Sequence, residues 1–391
     1  MILCPYDPLI LCSFDPSILA MNKKFISGNE AVVEGAMLAG CCFFAGYPIT
    51  PSSEIASHIS VRLPQKGGKF IQMEDEIGSL AACIGASLCG LKVMTATSGP
   101  GLSLMLENVG MAIMAEVPCV IVDVQRGGPS TGLATKVGQG DVQQVRWGSH
   151  GGYPVIALSP STIEETVKLT IEAFNLAEKF RVPVFLMTDQ IISHLREDVD
   201  LGVLKDYPVV NRKVAPPDGE FVPYKAEKLT DVPPMSPFGG PHLVRASSTT
   251  HNQRGVPTSN TDEITFKNER LHRKIMDRAD EICLWESDLQ PGADRLVVSF
   301  GISARSGQQA VVEARSEGKK VNFLKLLTLW PFPEDAVREA AQGVHRVVVP
   351  ELNWGQIALE VERVLGPDIE VIRVNKTDGT IILPEEIIKL I

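Results

Sequence analysis

Short apolar runs alternate with amphipathic helical segments along the first half of the chain. Strands are predicted near residues 41–45, 70–72, 93–97, 119–123, 155–158 and 184–187, with helices between most of them. Short buried strands that alternate with helices are typical of a parallel sheet covered on both faces. In such a sheet, the loops at the carboxyl ends of the strands hold the chemistry.

The pattern changes after residue 197. Residues 198–294 are rich in proline and in Ser, Thr and Asn, and they predict an irregular extended arm with a strongly charged helix over residues 264–286. An arm of this kind is either a linker or a wrap across a partner. A second α/β pattern, with strands near residues 296–300, 321–327, 344–349 and 369–374, predicts a smaller domain over residues 295–391.

Composition narrows the class of protein. With 391 residues and 44% hydrophobic content, the chain can bury sizeable cores in two or three domains. The net charge of −10 argues against nucleic acid or an anionic membrane as the main partner. Residues 1–20 lack a basic segment and are broken by prolines, so we expect a disordered extension or an upstream start. The first domain is then expected over residues 21–197.

The eight cysteines are scattered and form no CxxC pair. Structural zinc and iron–sulfur sites need closely spaced thiolates, so neither is expected in this chain. The thiols are typical of small core residues in a reducing cytoplasm.

Candidate chemistry lies between residues 72 and 101. Asp75 suits an N-cap, and the positive end of the following helix favours a carboxylate at Glu74 or Glu76. The sequence TSGPG at residues 97–101 predicts a turn whose glycines let a backbone approach a ligand closely. The simpler alternative is a charged, solvated helix start.

Several motifs together resemble known families. Glu76, TSGPG and the strand VPCV at residues 117–120 resemble the pyrimidine-binding domain of thiamine diphosphate enzymes. YPITPSSE at residues 47–54 and QRGGPSTG at residues 125–132 resemble the alpha subunits of 2-oxoacid:ferredoxin oxidoreductases, most like the 2-oxoglutarate synthase members. The resemblance implies a pyrimidine-binding-type doubly wound sheet, the arm, and a smaller transketolase C-terminal-type α/β domain.

The resemblance also implies an activity and partners. Members of the family oxidatively decarboxylate a 2-oxoacid, form an acyl-coenzyme A and pass electrons to ferredoxin. The chain has no GDG motif, so a beta subunit is expected to hold magnesium and the diphosphate. Iron–sulfur clusters are expected on that subunit and on a ferredoxin-like delta subunit, with gamma as another chain. A branched-chain (2-oxoisovalerate) enzyme, a non-oxidative decarboxylase and a non-catalytic regulatory subunit are the alternatives.

The resemblance implies roles for the positions of this sequence that match functional residues of the family. Glu76 matches the glutamate that hydrogen-bonds the aminopyrimidine ring, Thr50 matches a contact to cofactor and substrate, and Arg126 matches the arginine that grips the 2-oxoacid carboxylate. A guanidinium suits bidentate carboxylate recognition. The implied cofactor contacts are Ile49, Thr50, Glu76, Ser98 and Gly99.

The distal carboxylate of a dicarboxylic substrate requires a second cation. Lys136 is the first choice, and Arg146 and His150 lie in the same loop region. A branched-chain enzyme would have an apolar pocket there instead. Each of the three side chains has a solvated or interface charge as its alternative role.

Overall fold

A computed structural model describes residues 23–391, and the extension expected at residues 1–20 lies outside this range. The strands of the first half are β1 (Lys23–Ser27), β2 (Phe43–Gly46), β3 (Lys69–Gln72), β4 (Val93–Thr97), β5 (Cys119–Gln125), β6 (Ile156–Leu158), β7 (Pro183–Asp189) and β8 (Arg196–Asp200). Six of them form one parallel sheet in the order β6-β7-β5-β4-β2-β3, while β1 pairs antiparallel with β8.

Helices cover both faces of this sheet. They are α1 (Gly28–Leu38), α2 (Ser53–Arg62), α3 (Glu76–Leu88), α4 (Gly99–Met114), α5 (Val142–Trp147), α6 (Ile163–Phe180), α7 (Gln190–His194) and α8 (Leu201–Leu204). Along β5, Val120 and Val122 enter the core under α1 and α6, whereas Cys119 and Ile121 enter the core under α3 and α4. Alternate side chains of a strand point to opposite faces, so the sheet is buried on both sides as predicted.

The second sheet is smaller. It contains β9 (Trp285–Asp288), β10 (Arg295–Ser299), β11 (Val321–Leu326), β13 (Arg346–Glu351) and β14 (Glu370–Asn375), in the order β14-β13-β10-β11-β9, with only β9 antiparallel. Its helices are α10 (Gly301–Ser316), α11 (Glu334–Ala340), α12 (Ala358–Leu365) and α13 (Pro384–Ile388). The expected fold class, two doubly wound α/β units joined by an irregular arm, is confirmed.

One strand crosses between the two units. Strand β12 (Thr328–Trp330) follows β11 but pairs antiparallel with β6, so it forms the seventh strand and the edge of the first sheet. The indole Nε1 of Trp330 donates to the carbonyl of Val142 at 3.0 Å. The pattern of apolar residues did not predict this exchange, and the domain bounds inferred from composition stay predictions.

The arm lies against the first unit of its own chain. Residues 205–260 contain no named helix or strand. Arg181 donates to the carbonyls of Pro223 and Pro233, and Arg212 forms a buried ion pair with Glu178 at 2.5 Å. Proline has no N–H but keeps its carbonyl, so buried arginines satisfy backbone that cannot join a sheet.

Helix α9 (Thr261–Met276) is held by one carboxylate. Glu116 is fully buried and accepts hydrogen bonds from Lys267 at 2.7 Å, from Lys274 at 3.0 Å and from Arg270. Residues three and four apart share a helix face, so all three cations reach one acceptor. Burial would raise the pKa of Glu116, but the surrounding cations, Lys267 foremost, lower it well below its usual range.

Helix α9 is shorter than the helix predicted over residues 264–286. It ends at Met276, and Trp285–Asp288 instead pairs with β11 as a sheet edge. Charge and helix propensity continue past Met276, but strand pairing with the second sheet overrides them. Within residues 23–391, no helix combines the length and apolar character needed to cross a membrane.

The buried network predicts a large stability loss for Glu116→Gln. Removing the carboxylate leaves Lys267, Arg270 and Lys274 buried without a counter-charge, which costs about 3–5 kcal/mol. We expect a lower unfolding midpoint and faster proteolysis within residues 205–260. The matched control is Glu220→Gln, which removes the exposed pair with Arg254 and costs at most about 1 kcal/mol. Equal midpoints for the two variants would contradict this account of α9.

Candidate functional site

The candidate site lies at the carboxyl edge of the first sheet. The chain passes from β2 to its neighbour β3 on one side, and then to β4 on the other side of β2. The strand order therefore reverses between β2 and β4, which is where ligands bind in open α/β sheets. The segments that follow β2, β3, β4 and β5 carry Thr50, Glu76, Ser98 and Arg126, respectively.

Glu76 is the buried carboxyl of this edge. It is the first residue of α3, and the Asp75 side chain caps the helix by accepting from the Gly78 N–H at 2.7 Å. Glu76 is only 4% exposed, whereas the competing Glu74 is exposed. Burial raises the pKa of Glu76, the Asp75 charge adds to the rise, and a hydrogen bond from Thr97 opposes it.

The glycine-rich segment after β4 differs from its prediction. Residues 99–101, expected in a turn, form the first turn of α4, with Ser98 at the N-cap position and Pro100 where the first turn tolerates proline. A Cβ on Gly101 would overlap the Glu76 carboxyl and the Thr97 hydroxyl. Glycine at this position therefore lets the starts of α3 and α4 meet.

Arg126 and Thr50 are brought together through the backbone. Arg126 is 8% exposed, and its guanidinium donates to the carbonyl of Thr50 at 2.5 Å and to that of Thr131 at 2.8 Å. The Thr50 side chain is exposed, and Ile49 beside it is half-buried. The Ser52 hydroxyl donates to the Ile49 carbonyl and does not cap α2. The turn thus leaves the Thr50 hydroxyl facing outward.

A cavity of about 610 Å³ opens beside Arg126. It lies between the start of α4, the loop after β5, and a turn of the second unit that contains Asn353, Trp354 and Gln356. Among the side chains that line it, Arg126 is the one cation that the described part of the chain contributes. Charge and spacing did not reveal the contribution of the second unit, because it depends on how the two sheets pack.

Gln139 joins the two units behind the cavity. It is fully buried, its side-chain oxygen accepts from Ser303 and from the Leu352 N–H, and its amide donates to the Phe300 carbonyl. The Asn353 side chain in turn donates to the Gln139 carbonyl at 2.7 Å. Sequence analysis missed Gln139, since a lone glutamine in a glycine-rich loop carries no pattern.

The three candidate cations for a distal carboxylate do not line the cavity. Lys136 is exposed, and its side-chain carbons face Gly379, although its carbonyl accepts from the Gly127 N–H at 3.0 Å, next to Arg126. Arg146 stacks on Trp147 with 3.8 Å to the ring centre. His150 is exposed. Only the Lys136 backbone lies close to the arginine.

Unpaired polar atoms cluster at this edge. Within residues 23–391, the following buried atoms near the ends of β4 and β5 have no hydrogen-bond partner other than one another: Thr95 Oγ1, Ser98 Oγ, both Asp123 carboxyl oxygens, Arg126 Nε and Asp141 Oδ2. Buried polar groups are normally satisfied, so such a cluster is typical of a site that a ligand or partner completes. No group of three His, Cys, Asp or Glu side chains in this range could hold a metal ion.

Exposed apolar side chains occur on α3 and on elements that flank the same sheet edge. Tyr47, Ile71, Ile77 and Leu104 are 39–48% exposed. Ile77 and Leu104 lie on α3 and α4, which the Asn108 side chain links by donating to the Ile77 carbonyl at 2.9 Å. A large apolar patch beside polar groups is typical of an interaction surface.

The chain matches known families and relatives over most of its length. The family model for the thiamine diphosphate-binding region of pyruvate flavodoxin/ferredoxin oxidoreductases matches residues 34–270, and the model for pyruvate:ferredoxin oxidoreductase core domain II matches residues 293–387. The 2-oxoglutarate synthase subunit KorA of Methanocaldococcus jannaschii is 48% identical over 94% of this chain and 98% of the relative. The ketoisovalerate oxidoreductase subunit VorB of Methanothermobacter thermautotrophicus is 35% identical over 95% of this chain and 97% of the relative.

Solved structures show the same relationship. The 2-oxoglutarate:ferredoxin oxidoreductase from Magnetococcus marinus, solved with 2-oxoglutarate, coenzyme A and succinyl-CoA bound, superposes with a TM-score of 0.89 at 33% identity. The match covers 94% of this chain and 64% of that chain, so the present chain spans about two thirds of its length. From these matches, we conclude that the chain belongs to the 2-oxoacid:ferredoxin oxidoreductase family, as an alpha-type subunit similar to its 2-oxoglutarate synthase members.

Proposed function

We propose that this chain is the alpha subunit of a complex that converts 2-oxoglutarate and coenzyme A into succinyl-CoA and carbon dioxide, with reduction of ferredoxin, or runs the reverse reaction. The observation that carries the proposal is that a buried carboxyl, Glu76, and a buried guanidinium, Arg126, lie at the same open sheet edge. The names of the 46–48% identical relatives support 2-oxoglutarate as the substrate.

The residues of this edge fit thiamine diphosphate. Glu76 has the raised pKa that a carboxyl needs to exchange a proton with the aminopyrimidine ring, and Ile49, Thr50, Ser98 and Gly99 lie in the segments that follow β2 and β4 at the same sheet edge. When bound, the cofactor supplies a nucleophilic carbon and stabilises the negative charge left by decarboxylation. Glu76 hydrogen-bonds the aminopyrimidine ring and keeps the exchanging proton there. The Ser98 hydroxyl is buried without a partner among the described residues, and it offers a second polar contact to the ring.

Arg126 is proposed to bind the 2-oxoacid carboxylate. Two of its N–H groups hold backbone carbonyls, which fixes the plane of the guanidinium, while Nε and the remaining N–H groups stay available. A fixed fork binds a carboxylate with little loss of side-chain freedom. The exposed Thr50 hydroxyl, whose own carbonyl accepts from Arg126, is proposed to contact the substrate oxygen.

Lys136 remains the proposed partner of the distal carboxylate. Its backbone adjoins Arg126, and a lysine side chain is long and flexible enough to turn toward the cavity mouth. The alternative, a branched-chain 2-oxoacid, would leave this position without an anionic partner. Relatives named for ketoisovalerate are 33–35% identical to this chain, whereas the 2-oxoglutarate synthase relatives reach 48%.

The half-open edge supports partner subunits. A beta subunit is proposed to cover Ile77 and Leu104 and to bring magnesium and the diphosphate site, with iron–sulfur clusters on beta and a ferredoxin-like delta subunit. A gamma subunit is proposed as a separate chain. A non-catalytic regulatory subunit is disfavoured, because it would have no need of a buried, protonatable Glu76.

Glu76→Gln tests the proton role. The amide is nearly isosteric but cannot carry the proton, so turnover by the reconstituted complex should fall by about 10²-fold or more while assembly is unchanged. Gly101→Ala should act on the same group, since displacing a catalytic side chain by about 1 Å costs about 10²-fold. The matched control is Gly85→Ala on α3, where a Cβ meets open space. Full activity of Glu76→Gln would reject this assignment.

Arg126→Lys and Lys136→Met separate the two carboxylates. Arg126→Lys keeps the charge but loses the fork, so kcat/KM should fall about tenfold or more for every 2-oxoacid, consistent with about 1.5–3 kcal/mol. Lys136→Met should lower kcat/KM for 2-oxoglutarate and spare 2-oxobutyrate. His150→Gln, in the same exposed loop region, is the control. An equal loss for both substrates would remove Lys136 from substrate selection.

Ile77→Glu and Leu104→Glu test the partner surface. Both side chains are 48% exposed, so the substitutions should change the free energy of unfolding of the isolated chain by no more than about 0.5 kcal/mol. Loss of buried apolar contact should weaken association with the beta subunit about tenfold or more, measured by sedimentation. Val312→Glu, on α10 and 55% exposed, is the control. Unchanged association would move the interface elsewhere.

A further inference from the structure

A buried carboxyl pair, Asp123 and Asp141, lies beside Arg126. Asp123 is on β5, in register with Thr97 of β4 and Met187 of β7, and it is completely buried. Side chains of paired residues on parallel strands point to the same face, so Asp123 lies next to Thr97, which bonds Glu76. Within residues 23–391, neither Asp123 oxygen accepts a hydrogen bond from a backbone N–H group or from a basic side chain.

An ionised carboxylate without a donor is not stable in such a place. Removing a charge from water without a partner costs far more than keeping a proton on it. The neighbour of Asp123 is another carboxyl, Asp141, and the two side chains are within hydrogen-bonding reach of each other. Asp123 therefore keeps its proton and donates a hydrogen bond to Asp141, so that the buried Asp123 hydroxyl has an acceptor.

Asp141 is the member of the pair that faces the cavity. Its carboxyl oxygens lie 3.0 and 3.1 Å from where a Cβ on Gly99 would stand, and Oδ2 has no donor in the described part of the chain. Arg126 lines the same cavity, and its buried Nε is unpaired within the same range. Burial raises the pKa of Asp141 to about 6, while the Asp123 hydrogen bond and the Arg126 charge oppose the rise.

The charged groups around Asp141 come from three directions. Asp123 faces it from β5, Arg126 from the loop after β5, and Glu76 stands on α3 beyond the first turn of α4. Gln144, Asn353 and Gln356, which line the cavity as well, are neutral. Near neutral pH, Arg126 thus balances the single negative charge of Asp141. A substrate carboxylate that binds Arg126 brings a second negative charge into the same cavity.

We propose that Asp141, held by protonated Asp123, takes up a proton when the 2-oxoacid carboxylate binds to Arg126. Asp141 then becomes neutral, and the guanidinium is left with one carboxylate to balance. This inference rests on the proposed function. Asp123 is a positioning residue that acts through Asp141, and the proton that moves comes from solvent.

The sign of the linkage follows from these charges. The bound anion favours protonated Asp141, so the dissociation constant should be constant below about pH 6 and should rise above it, by up to tenfold per pH unit. The rise ends where Asp141 ionises in the complex. A site with Arg126 alone would show no such slope.

The test uses glutarate, a dicarboxylate that lacks the oxo group and cannot be decarboxylated. Its inhibition constant against 2-oxoglutarate is measured with the reconstituted complex between about pH 6 and 8.5. Asp141→Asn should give a constant that is independent of pH and lower than the original at pH 8. Asp123→Asn should keep the slope, since the amide donates to Asp141 in place of the acid. Asp123→Val removes that donor, so the slope should begin at higher pH.

Glu107→Gln, which alters an exposed carboxyl, is the control and should leave the profile unchanged. Calorimetry of glutarate binding in two buffers of different ionisation enthalpy counts the protons directly, without any variant. Measurable proton uptake at pH 7–8, with a maximum of one proton per site, supports the proposal. The absence of uptake overturns it. A slope that persists in Asp141→Asn also overturns it. If the original complex fails to turn over 2-oxoglutarate, the proposed function itself is wrong, whereas turnover without proton uptake rejects the carboxyl pair alone.

Discussion

The approach of the Glu76 carboxyl to the first turn of α4 is the constraint on which the site depends. Two helix starts meet there, and the positive ends of both helices favour a carboxylate. Burial opposes the charged form of Glu76. Since the pKa of Glu76 is raised, the effect of burial outweighs that of the helix ends. The meeting requires Gly101, since any Cβ would occupy the space of the carboxyl. Gly101 and Glu76 look unrelated in the sequence, but the contact between the two helix starts requires both of them.

The arm and the second unit hold this edge in place without touching Glu76. Glu116 anchors α9, Arg181 and Arg212 hold the irregular arm, and β12 extends the first sheet. Such buried charges add little net stability over an apolar core, but breaking one is costly. They therefore fix where the arm lies more than they strengthen the fold. Beside Arg126, hydrogen bonds from Asn353 to Gln139 and from Gln356 to Gly140 fasten the turn of the second unit to the loop after β5, and the cavity lies between them.

The parallel sheet, its helices and the capping role of Asp75 could be predicted from the sequence, because each depends on residues close in the chain. The choice of Glu76 over Glu74 came from the family register, and their exposures agree with it. Three features could not be predicted. The end of α9, the exchange of β12 and the contribution of Asn353 to the cavity are each decided by pairing between distant segments.

The candidate site as a whole is unbalanced within this chain. It combines the buried Asp123–Asp141 carboxyl pair, a Ser98 hydroxyl without a partner among the described residues, one cation at Arg126, and exposed apolar side chains at Ile77 and Leu104. Exposed apolar surface and buried polar atoms without partners both cost free energy. A surface that no partner covers therefore seldom combines the two. A partner that covers the apolar side chains would also exclude water from the polar ones, which strengthens the charge interaction between Arg126 and Asp141. The same association would therefore complete the binding site and set the protonation states on which its chemistry depends.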